Sequence, residues 1–339
     1  MTAALHAGPV APKVILPAGA PLPEWLAARR HGIGGSDVAA ILGISKYDGP
    51  TKVYYDKLGV LPDIDNAAME WGRRLESAVR GKFADEHPEL HVYDGPGLVS
   101  HPDRAWQRAT LDGLASEGPN GEPLAIVEVK TGRTNDDEWG EEATDEIPLP
   151  YLCQLTWYMD IFKLSVAYLA VLLDGRDYRE YQAEYDPVLA AKLRGHAEAF
   201  WTRHVLAQVP PAVDGLESTS DVLAGLHQPK PKSEGQLDSD VLGWAQIYGN
   251  AHRDENAAKE RKREAGNHLR AAFLAAGSPN YGLIGERKIA TFSKPAPKAV
   301  TEFDSDRFAA EHPDLFRAFS TTRMSEPSAR LLVSKEFTV

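Results

Sequence analysis

A short apolar segment that ends in an acidic and a basic residue constrains this chain more than any other feature. The apolar run 124–127 leads directly into Glu128-Val129-Lys130, and a Pro-Asn-Gly turn signal at 119–121 precedes it. This pattern predicts a short buried strand. Because alternate residues of a strand face the same side, Glu128 and Lys130 are expected to point together, with Val129 turned into the core.

A second carboxylate, Asp112, lies upstream in Leu111-Asp112-Gly113 and is expected to be delivered from a nearby hairpin. Carboxylate oxygens suit Mg²⁺, which lowers the pKa of a bound water and offsets charge on a leaving oxygen. Lys130 could position that water or stabilise the developing charge. The pattern D…E-x-K also arises by chance, and a solvated Glu/Lys surface pair is the alternative interpretation.

Composition bounds the class of protein. The 339 residues, 43% hydrophobic and 25% charged, suffice for one large domain or two smaller ones, and no apolar run has transmembrane length. The net charge of −12 argues against a nucleic-acid coat protein but is compatible with an enzyme that has a local basic channel. The single cysteine, Cys153, excludes a disulfide framework, a cysteine-rich zinc site and a four-cysteine iron–sulfur cluster.

The order of predicted elements divides the chain into four parts. Residues 1–23 are rich in Ala and Pro and lack the features of a signal peptide, which predicts a flexible leader and a cytoplasmic protein. Residues 24–206 alternate between helical and strand patterns, which predicts an α/β core with a central mixed sheet flanked by helices. Residues 207–235 are expected to be a linker. Residues 236–339 are expected to form a helical and β extension.

Particular segments of these parts carry sharper expectations. The nearly continuous apolar run 166–173 predicts a buried central strand, and 179–185 alternates like an edge strand. Residues 241–276 form a long charged helical segment with sparse apolar positions, which needs a partner helix or an oligomer. A hairpin is expected around Gly285, followed by a capped helix over 304–320 and a final strand over 329–339.

Several motifs occur in one order along the core. They are Arg29-Arg30 before Gly34-Gly35-Ser36-Asp37, Trp71-Gly72-Arg73-Arg74-Leu75-Glu76, Ala109-Thr110-Leu111-Asp112-Gly113, Glu128-Val129-Lys130, and the segment from Pro150 to Tyr158 that contains Gln154. This order resembles the YqaJ-type viral recombinase family, the phage exonucleases similar to lambda exonuclease, within the PD-(D/E)xK nuclease superfamily. The resemblance extends from about residue 24 to 205.

The resemblance implies roles for the residues of the hydrolytic site. Asp112 and Glu128 would be metal ligands, with the Val129 carbonyl as a third, and Lys130 would be the catalytic lysine. Glu76 falls where the family has an acidic residue near the metals. Leu111 stands where the superfamily name has Pro, a departure that removes no side-chain ligand.

The resemblance also implies a pocket for the end of the DNA. Gln154 falls on the glutamine of the family's Q-x-x-x-Y helix, close to the scissile end. Arg29 falls where lambda-type enzymes hold the 5′ phosphate, with the adjacent Arg30 as an alternative, and Ser36 and Thr110 match hydroxyl positions of that pocket. A guanidinium with hydroxyl donors suits a terminal phosphate dianion.

Each of these residues taken alone also has a simpler interpretation. Gly34-Gly35-Ser36 could be only a helix-entry turn, Glu76 a solvated helix residue, and Gln154 a group that bonds within its own helix. The basic stretch 253–270 interleaves Glu residues and is typical of a solvated helix. The joint order of the motifs favours the nuclease.

Taken together, the resemblance implies a Mg²⁺-dependent 5′→3′ exodeoxyribonuclease, with Mn²⁺ as a possible substitute. Its substrate would be linear double-stranded DNA with a 5′ phosphate, and its product a 3′ single strand for a single-strand annealing protein. A ring-shaped homo-oligomer, trimer or tetramer, is expected, with 236–339 as an oligomer or partner contact. The alternatives are a restriction-type or Cas4-like nuclease, the latter disfavoured by the lack of a cysteine cluster, and a non-catalytic module that binds DNA ends.

Overall fold

The computed structural model describes residues 11–62, 67–134, 139–228, 233–299, 301–321, 329 and 331–338. The chain divides into two compact units, Met1–His227 and Gln228–Val339. Every residue predicted for the hydrolytic site and for the 5′-phosphate pocket belongs to the first unit. No helix in the described ranges is both long and apolar enough to cross a membrane.

The first unit alternates strands and helices along the chain. Its strands are β1 (Lys13–Pro17), β2 (His91–Asp94), β3 (Gly97–Ser100), β4 (Arg108–Thr110), β5 (Gly113–Ser116), β6 (Ala125–Gly132), β7 (Val166–Leu173) and β8 (Asp177–Glu184). Its helices are α1 (Leu22–Arg29), α2 (Gly35–Ile41), α3 (Pro50–Lys57), α4 (Ala67–Glu86), α5 (Leu149–Phe162), α6 (Pro187–Phe200) and α7 (Glu217–Leu226). A π-helical turn, Trp201–Leu206, continues α6.

A five-stranded mixed sheet forms the centre of this unit. Its strand order is β2-β5-β6-β7-β8; the β6–β7 pair is parallel and the other neighbours are antiparallel. The predicted α/β class with a central mixed sheet is therefore confirmed. The middle strand is β6, whereas β7, the expected central strand, lies beside it; β8 is an edge strand, as its alternating pattern predicts.

Helices cover both faces of the sheet, and the alternation along β6 assigns each residue to a face. Val127 and Val129 pack with Val79 and Phe83 of α4. Ile126, by contrast, belongs to the larger core cluster that contains most of the buried residues of α5. Glu128 follows the same alternation as Ile126, so its carboxylate lies on the α5 side, inside the protein.

Two segments expected to be irregular contain secondary structure. Within the predicted leader, β1 pairs antiparallel with β3, so that expectation is wrong for Lys13–Pro17; residues 1–10 lie outside the described residues. Within the predicted linker, α7 contacts α3 and buries Thr219 and Val222. A short amphipathic stretch there outweighs the Pro- and Ser-rich surroundings, because burial of one apolar face stabilises a helix.

The second unit contains the long helix α8 (Val241–Ala275) and a hairpin of β9 (Tyr281–Ile284) and β10 (Arg287–Thr291) with Gly285 at φ +60° in its turn. Both agree with the predicted elements. The predicted single helix over 304–320 is two helices, α9 (Ser305–Glu311) and α10 (Pro313–Phe319). The break falls at His312 because the residue before a proline is disfavoured in helical conformation.

The predicted final strand over 329–339 is wrong for its described residues. Lys335–Thr338 forms the short helix α11, which lies against α8. The Phe337 carbonyl accepts a hydrogen bond from Arg253 Nη1 at 2.7 Å. The neighbour of this segment is thus a helix. A strand would need the edge of a sheet to satisfy its backbone hydrogen bonds, and no sheet edge lies beside these described residues.

Candidate active site

The ends of two neighbouring strands bring the predicted carboxylates together. Glu128 and Lys130 are the fourth and sixth of the eight residues of β6, and Gly113, the first residue of β5, pairs with Val127. Asp112 immediately precedes that pair, and its Oδ2 accepts a hydrogen bond from the Val129 main-chain N–H at 2.8 Å. The structure therefore places Asp112 beside Glu128 at one end of the sheet.

Glu128 is a buried carboxylate whose two hydrogen-bond donors both reach the same oxygen. Its Oε1 accepts from Lys130 Nζ at 2.7 Å and from Gln154 Nε2 at 2.6 Å. Its Oε2 is buried and accepts no hydrogen bond from the described residues. Burial, with a further contribution from the nearby Asp112 charge, raises the pKa of Glu128 to about 8. An uncompensated buried acceptor of this kind is costly unless a cation or donor joins it.

The charges of Asp112 and Lys130 depend on one another. Burial raises the pKa of Asp112, and Lys130 together with the Val129 N–H partly offsets that rise. Burial lowers the pKa of Lys130, but the adjacent Glu128 and Asp112 outweigh it and leave the pKa above its usual value. Lys130 is therefore an ammonium at neutral pH, paired with Glu128 and influenced by the nearby Asp112 charge.

Helix α5 supplies the amide that orients Glu128. Gln154 is buried, and besides Glu128 its Nε2 donates to Tyr158 Oη at 3.0 Å. Burial raises the pKa of Tyr158 well above its usual value, so the hydroxyl stays neutral. Gly35, the first residue of α2, packs so closely here that a Cβ would lie 2.6 Å from the Tyr158 ring and 2.9 Å from Gln154 Cγ.

Glu76 lies on α4 at the rim of the same site. Burial and the Asp112 charge raise its pKa, while Arg80 one turn later offsets part of the rise. Arg80 Nη1 donates to Glu76 Oε1 at 3.3 Å and to the Asp112 main-chain oxygen at 2.6 Å. Arg80 is not among the residues predicted from the sequence, although its i,i+4 spacing from Glu76 is a signal for this pair.

The residues predicted to hold a 5′ phosphate are brought together in part. Arg29 Nη2 donates to Ser36 Oγ at 3.5 Å and to Asp37 Oδ1 at 2.7 Å, so Arg29 and Ser36 are neighbours. Arg30 lies against the backbone of Gly59, with its Cδ 3.6 Å from where a Cβ would be. Thr110 ends β4, two residues before Asp112. Arg29 therefore contacts Ser36 directly.

Asp37, which pairs with Arg29, also forms a buried ion pair that the sequence did not predict. Lys57 Nζ lies 2.6 Å from Asp37 Oδ2, and the Lys57 side chain is fully buried. Burial raises the pKa of Asp37, but Arg29 and Lys57 outweigh it and leave the pKa below its usual value. Asp37 lies within a motif that was singled out, whereas nothing in the local pattern marks Lys57.

The donor set fits an oxygen-liganded cation whose remaining ligands come from elsewhere. Among the described residues, no three His, Cys, Asp or Glu side chains form a group that could hold a metal alone. Asp112 and Glu128 supply two carboxylates, and Glu128 Oε2 lacks a partner there. Mg²⁺ is commonly held by one or two carboxylates and keeps several waters or substrate oxygens. Glu76 is engaged with Arg80 and lies at the edge of this set.

Comparison with known proteins agrees with the motifs. The YqaJ-like viral recombinase domain family matches residues 24–164. Protein YqaJ of Bacillus subtilis (strain 168) is 32% identical over 205 residues, which cover 59% of this chain and 61% of that protein. The chain thus spans less than two thirds of the length of this relative.

Part of the chain is also similar to two solved structures. The alkaline exonuclease LHK-Exo from Laribacter hongkongensis is 21% identical, with a TM-score of 0.41 over 55% of this chain and 94% of that one. A phage-related exonuclease from Haemophilus somnus 129PT is 12% identical, with a TM-score of 0.37 over 52% and 95% of the two chains. The predicted resemblance to the YqaJ-type viral recombinase family is confirmed over residues 24–164, where the chain is similar to a YqaJ-like viral recombinase domain.

Proposed function

We propose that the first unit is a Mg²⁺-dependent exodeoxyribonuclease that resects linear double-stranded DNA in the 5′→3′ direction and leaves 3′ single-stranded overhangs. The observation that carries the proposal is the buried Glu128, held by Lys130 and Gln154 and adjoined by Asp112 at one strand end. The similarity of residues 24–164 to a viral recombinase domain supports a role in recombination.

The chemistry follows from the side chains of this strand end. Asp112 and Glu128 would hold Mg²⁺, or Mn²⁺ in its place, with the Val129 carbonyl as a third ligand. The bound ion supplies an acidified water and offsets charge on the leaving oxygen. Gln154 fixes Glu128 through Oε1 and leaves Oε2 for the ion. The Lys130 ammonium donates to the attacking water or to a non-bridging phosphate oxygen.

The polarity rests on the proposed 5′-phosphate pocket. Arg29 and Ser36 would bind the terminal phosphate, with Arg30 as the alternative arginine and Thr110 as a further hydroxyl. The neighbouring Gly35 packs on Gln154, so the pocket and Glu128 are linked through α5. An enzyme that holds the 5′ phosphate and cleaves the next phosphodiester recreates the same end, and degradation therefore proceeds 5′→3′.

The proposal extends to assembly and to partners. A ring-shaped homo-oligomer, trimer or tetramer, would encircle the duplex, and a single-strand annealing protein would take up the 3′ strand in the cytoplasm of a bacterial host. The second unit is the proposed contact. Its helix α8 exposes the large apolar side chains of Leu242, Trp244 and Ile247, and exposed apolar patches often mark interaction sites.

Three DNA substrates test the function. The purified protein with Mg²⁺ is given linear duplex with a 5′ phosphate, the same duplex without it, and closed circular plasmid. We expect loss of linear DNA only, fastest with the phosphate. Cleavage of the circle would instead indicate a restriction-type endonuclease, and binding of ends without cleavage of any substrate would indicate a non-catalytic module.

A further inference from the structure

Arg80 of α4 contacts its own helix and two other segments around the candidate active site. Its Nη1 donates to the main-chain oxygen of Asp112 at 2.6 Å and to Glu76 Oε1 at 3.3 Å. Its Nη2 forms an ion pair with Asp94 at the end of β2. The Arg80 side chain is only 15% exposed. One guanidinium thus links α4, the end of β2 and the turn that carries Asp112.

The packing around the stem of Arg80 fixes the same turn. A Cβ on Gly113 would lie 2.7 Å from Arg80 Cδ, so glycine at this position makes room for the arginine. Asp112 is consequently held from two sides. Its main-chain oxygen accepts from Arg80, and its carboxylate accepts from the Val129 N–H on the central strand. Its carboxylate position depends on both contacts.

The charges make this arrangement more than a packing contact. Burial and the nearby Asp112 charge raise the pKa of Glu76, and Arg80 opposes that rise. Hydrogen bonds that involve a charged group are stronger than neutral ones, and a guanidinium presents several donors in a rigid fork. Arg80 therefore can hold two acidic residues in one fixed arrangement.

We propose that Arg80 is a positioning residue that fixes the Asp112 backbone and the Glu76 carboxylate relative to each other, so that the strand-end carboxylates bind their divalent cation. This inference rests on the metal site of the proposed function and adds to it a residue outside the motifs. In this inference Arg80 acts through its contacts with Asp112 and Glu76. Residues that orient metal ligands typically change metal affinity about 10- to 100-fold when replaced.

The test uses a matched pair of arginines on α4. Arg74 pairs with Glu70 at the same i,i+4 spacing as Arg80 with Glu76, but the Arg74 side chain is 65% exposed. Full-length wild type, Arg80→Met, Arg80→Lys and Arg74→Met are titrated with Mn²⁺ by calorimetry in the absence of DNA. We expect Arg80→Met to weaken Mn²⁺ binding by about tenfold or more, and Arg80→Lys to recover part of it. Arg74→Met should bind like wild type.

A second variant keeps the inference testable if Arg80→Met does not fold. Asp94→Asn removes one anchor of the guanidinium at a side chain that is 76% exposed, so the fold should survive. It should weaken Mn²⁺ binding by about twofold or more, in the same direction as Arg80→Met. Wild-type affinity in both folded Arg80→Met and Asp94→Asn, or equal losses in Arg80→Met and Arg74→Met, would overturn the inference.

The readout separates this inference from the proposed function. If wild type binds Mn²⁺, Arg80→Met binds it more weakly and wild type cleaves no DNA, then Arg80 is the positioning residue and the exonuclease proposal fails. If wild type degrades linear DNA while Arg80→Met keeps full Mn²⁺ affinity, the exonuclease stands and the Arg80 inference fails. Absence of Mn²⁺ binding by wild type overturns the Arg80 inference outright.

Discussion

Replacement of Gly35 by alanine tests whether the start of α2 sets the position of Gln154. A Cβ at Gly35 would lie 2.6 Å from Tyr158 Cε1 and 2.9 Å from Gln154 Cγ, well inside normal contact distance. Tyr158 is 4% exposed and cannot turn into solvent. Either α2 or the Tyr158 and Gln154 side chains must therefore move, by an amount on the order of 1 Å to restore normal carbon–carbon separation.

The magnitude follows from two opposing effects. Overpacking a buried contact costs about 1–3 kcal/mol, whereas removing a glycine from a helix recovers at most about 1 kcal/mol. We expect a net loss of about 1–2 kcal/mol in the free energy of unfolding. Because Gln154 donates to Glu128 at 2.6 Å, its displacement also disturbs the carboxylate that we propose as a metal ligand. Misplacement on the order of 1 Å lowers turnover by about 100-fold.

Urea unfolding and the rate of duplex degradation measure both effects. Gly81→Ala is the matched control, since Gly81 lies inside α4 with no atom within 4 Å of its added Cβ. That variant should gain about 0.5–1 kcal/mol in stability and keep its activity. The account is refuted if Gly35→Ala matches Gly81→Ala in both stability and rate.

Three further predictions follow from other contacts. Asp160→Asn should lower the free energy of unfolding, measured in urea at pH 7, by about 3 kcal/mol. The reason is that buried Asp160 accepts hydrogen bonds from four side chains, those of Arg104, Arg194, Gln107 and Tyr185. A loss below about 0.5 kcal/mol contradicts this prediction. The pKa of Asp160 in the folded protein lies below 3.8, its usual value. The stabilisation from ionised Asp160 is therefore fully present above pH 3.8 and is lost as the pH falls through the lower folded pKa. The affinity for Mn²⁺, measured by calorimetry, should rise by up to about tenfold per pH unit between pH 6 and 8. The reason is that the ion must displace the proton of Glu128, whose pKa is about 8. An affinity that does not change with pH would contradict this prediction. Deletion of residues 236–339 should lower the oligomer mass in light scattering or abolish binding of the annealing protein, and unchanged mass with unchanged binding would exclude a role for this segment.

Local patterns predicted the framework of the site. The turn signal before the apolar run and the period of two along it placed Glu128 and Lys130 on one face of β6, as the structure has them. The hydrogen bond from Gln154 to Glu128 was beyond such reasoning, because its partners lie 26 residues apart on different elements. Only the family resemblance had indicated a role for Gln154 near the scissile end.

Contacts between distant segments account for what the sequence did not reveal. Arg80 bonds to Asp112, 32 positions later, and the register of β5 on β6 decides that meeting. Strand β1 forms because β3 offers it an edge, although the Ala- and Pro-rich composition of 1–23 indicates a leader. The break between α9 and α10 at His312 could be predicted from the sequence, because Pro313 follows it directly.

The most direct test of the central claim is the single-turnover rate of cleavage of a 5′-phosphorylated linear duplex by wild type and Lys130→Met. Methionine keeps an unbranched side chain of nearly the same length but removes the ammonium that pairs with Glu128. Lys82→Met, at an exposed residue of α4, serves as the control. We predict a rate about 100-fold or more lower for Lys130→Met, with DNA ends still bound and Lys82→Met unaffected. A wild-type rate for Lys130→Met would contradict the claim that this strand end is the hydrolytic centre.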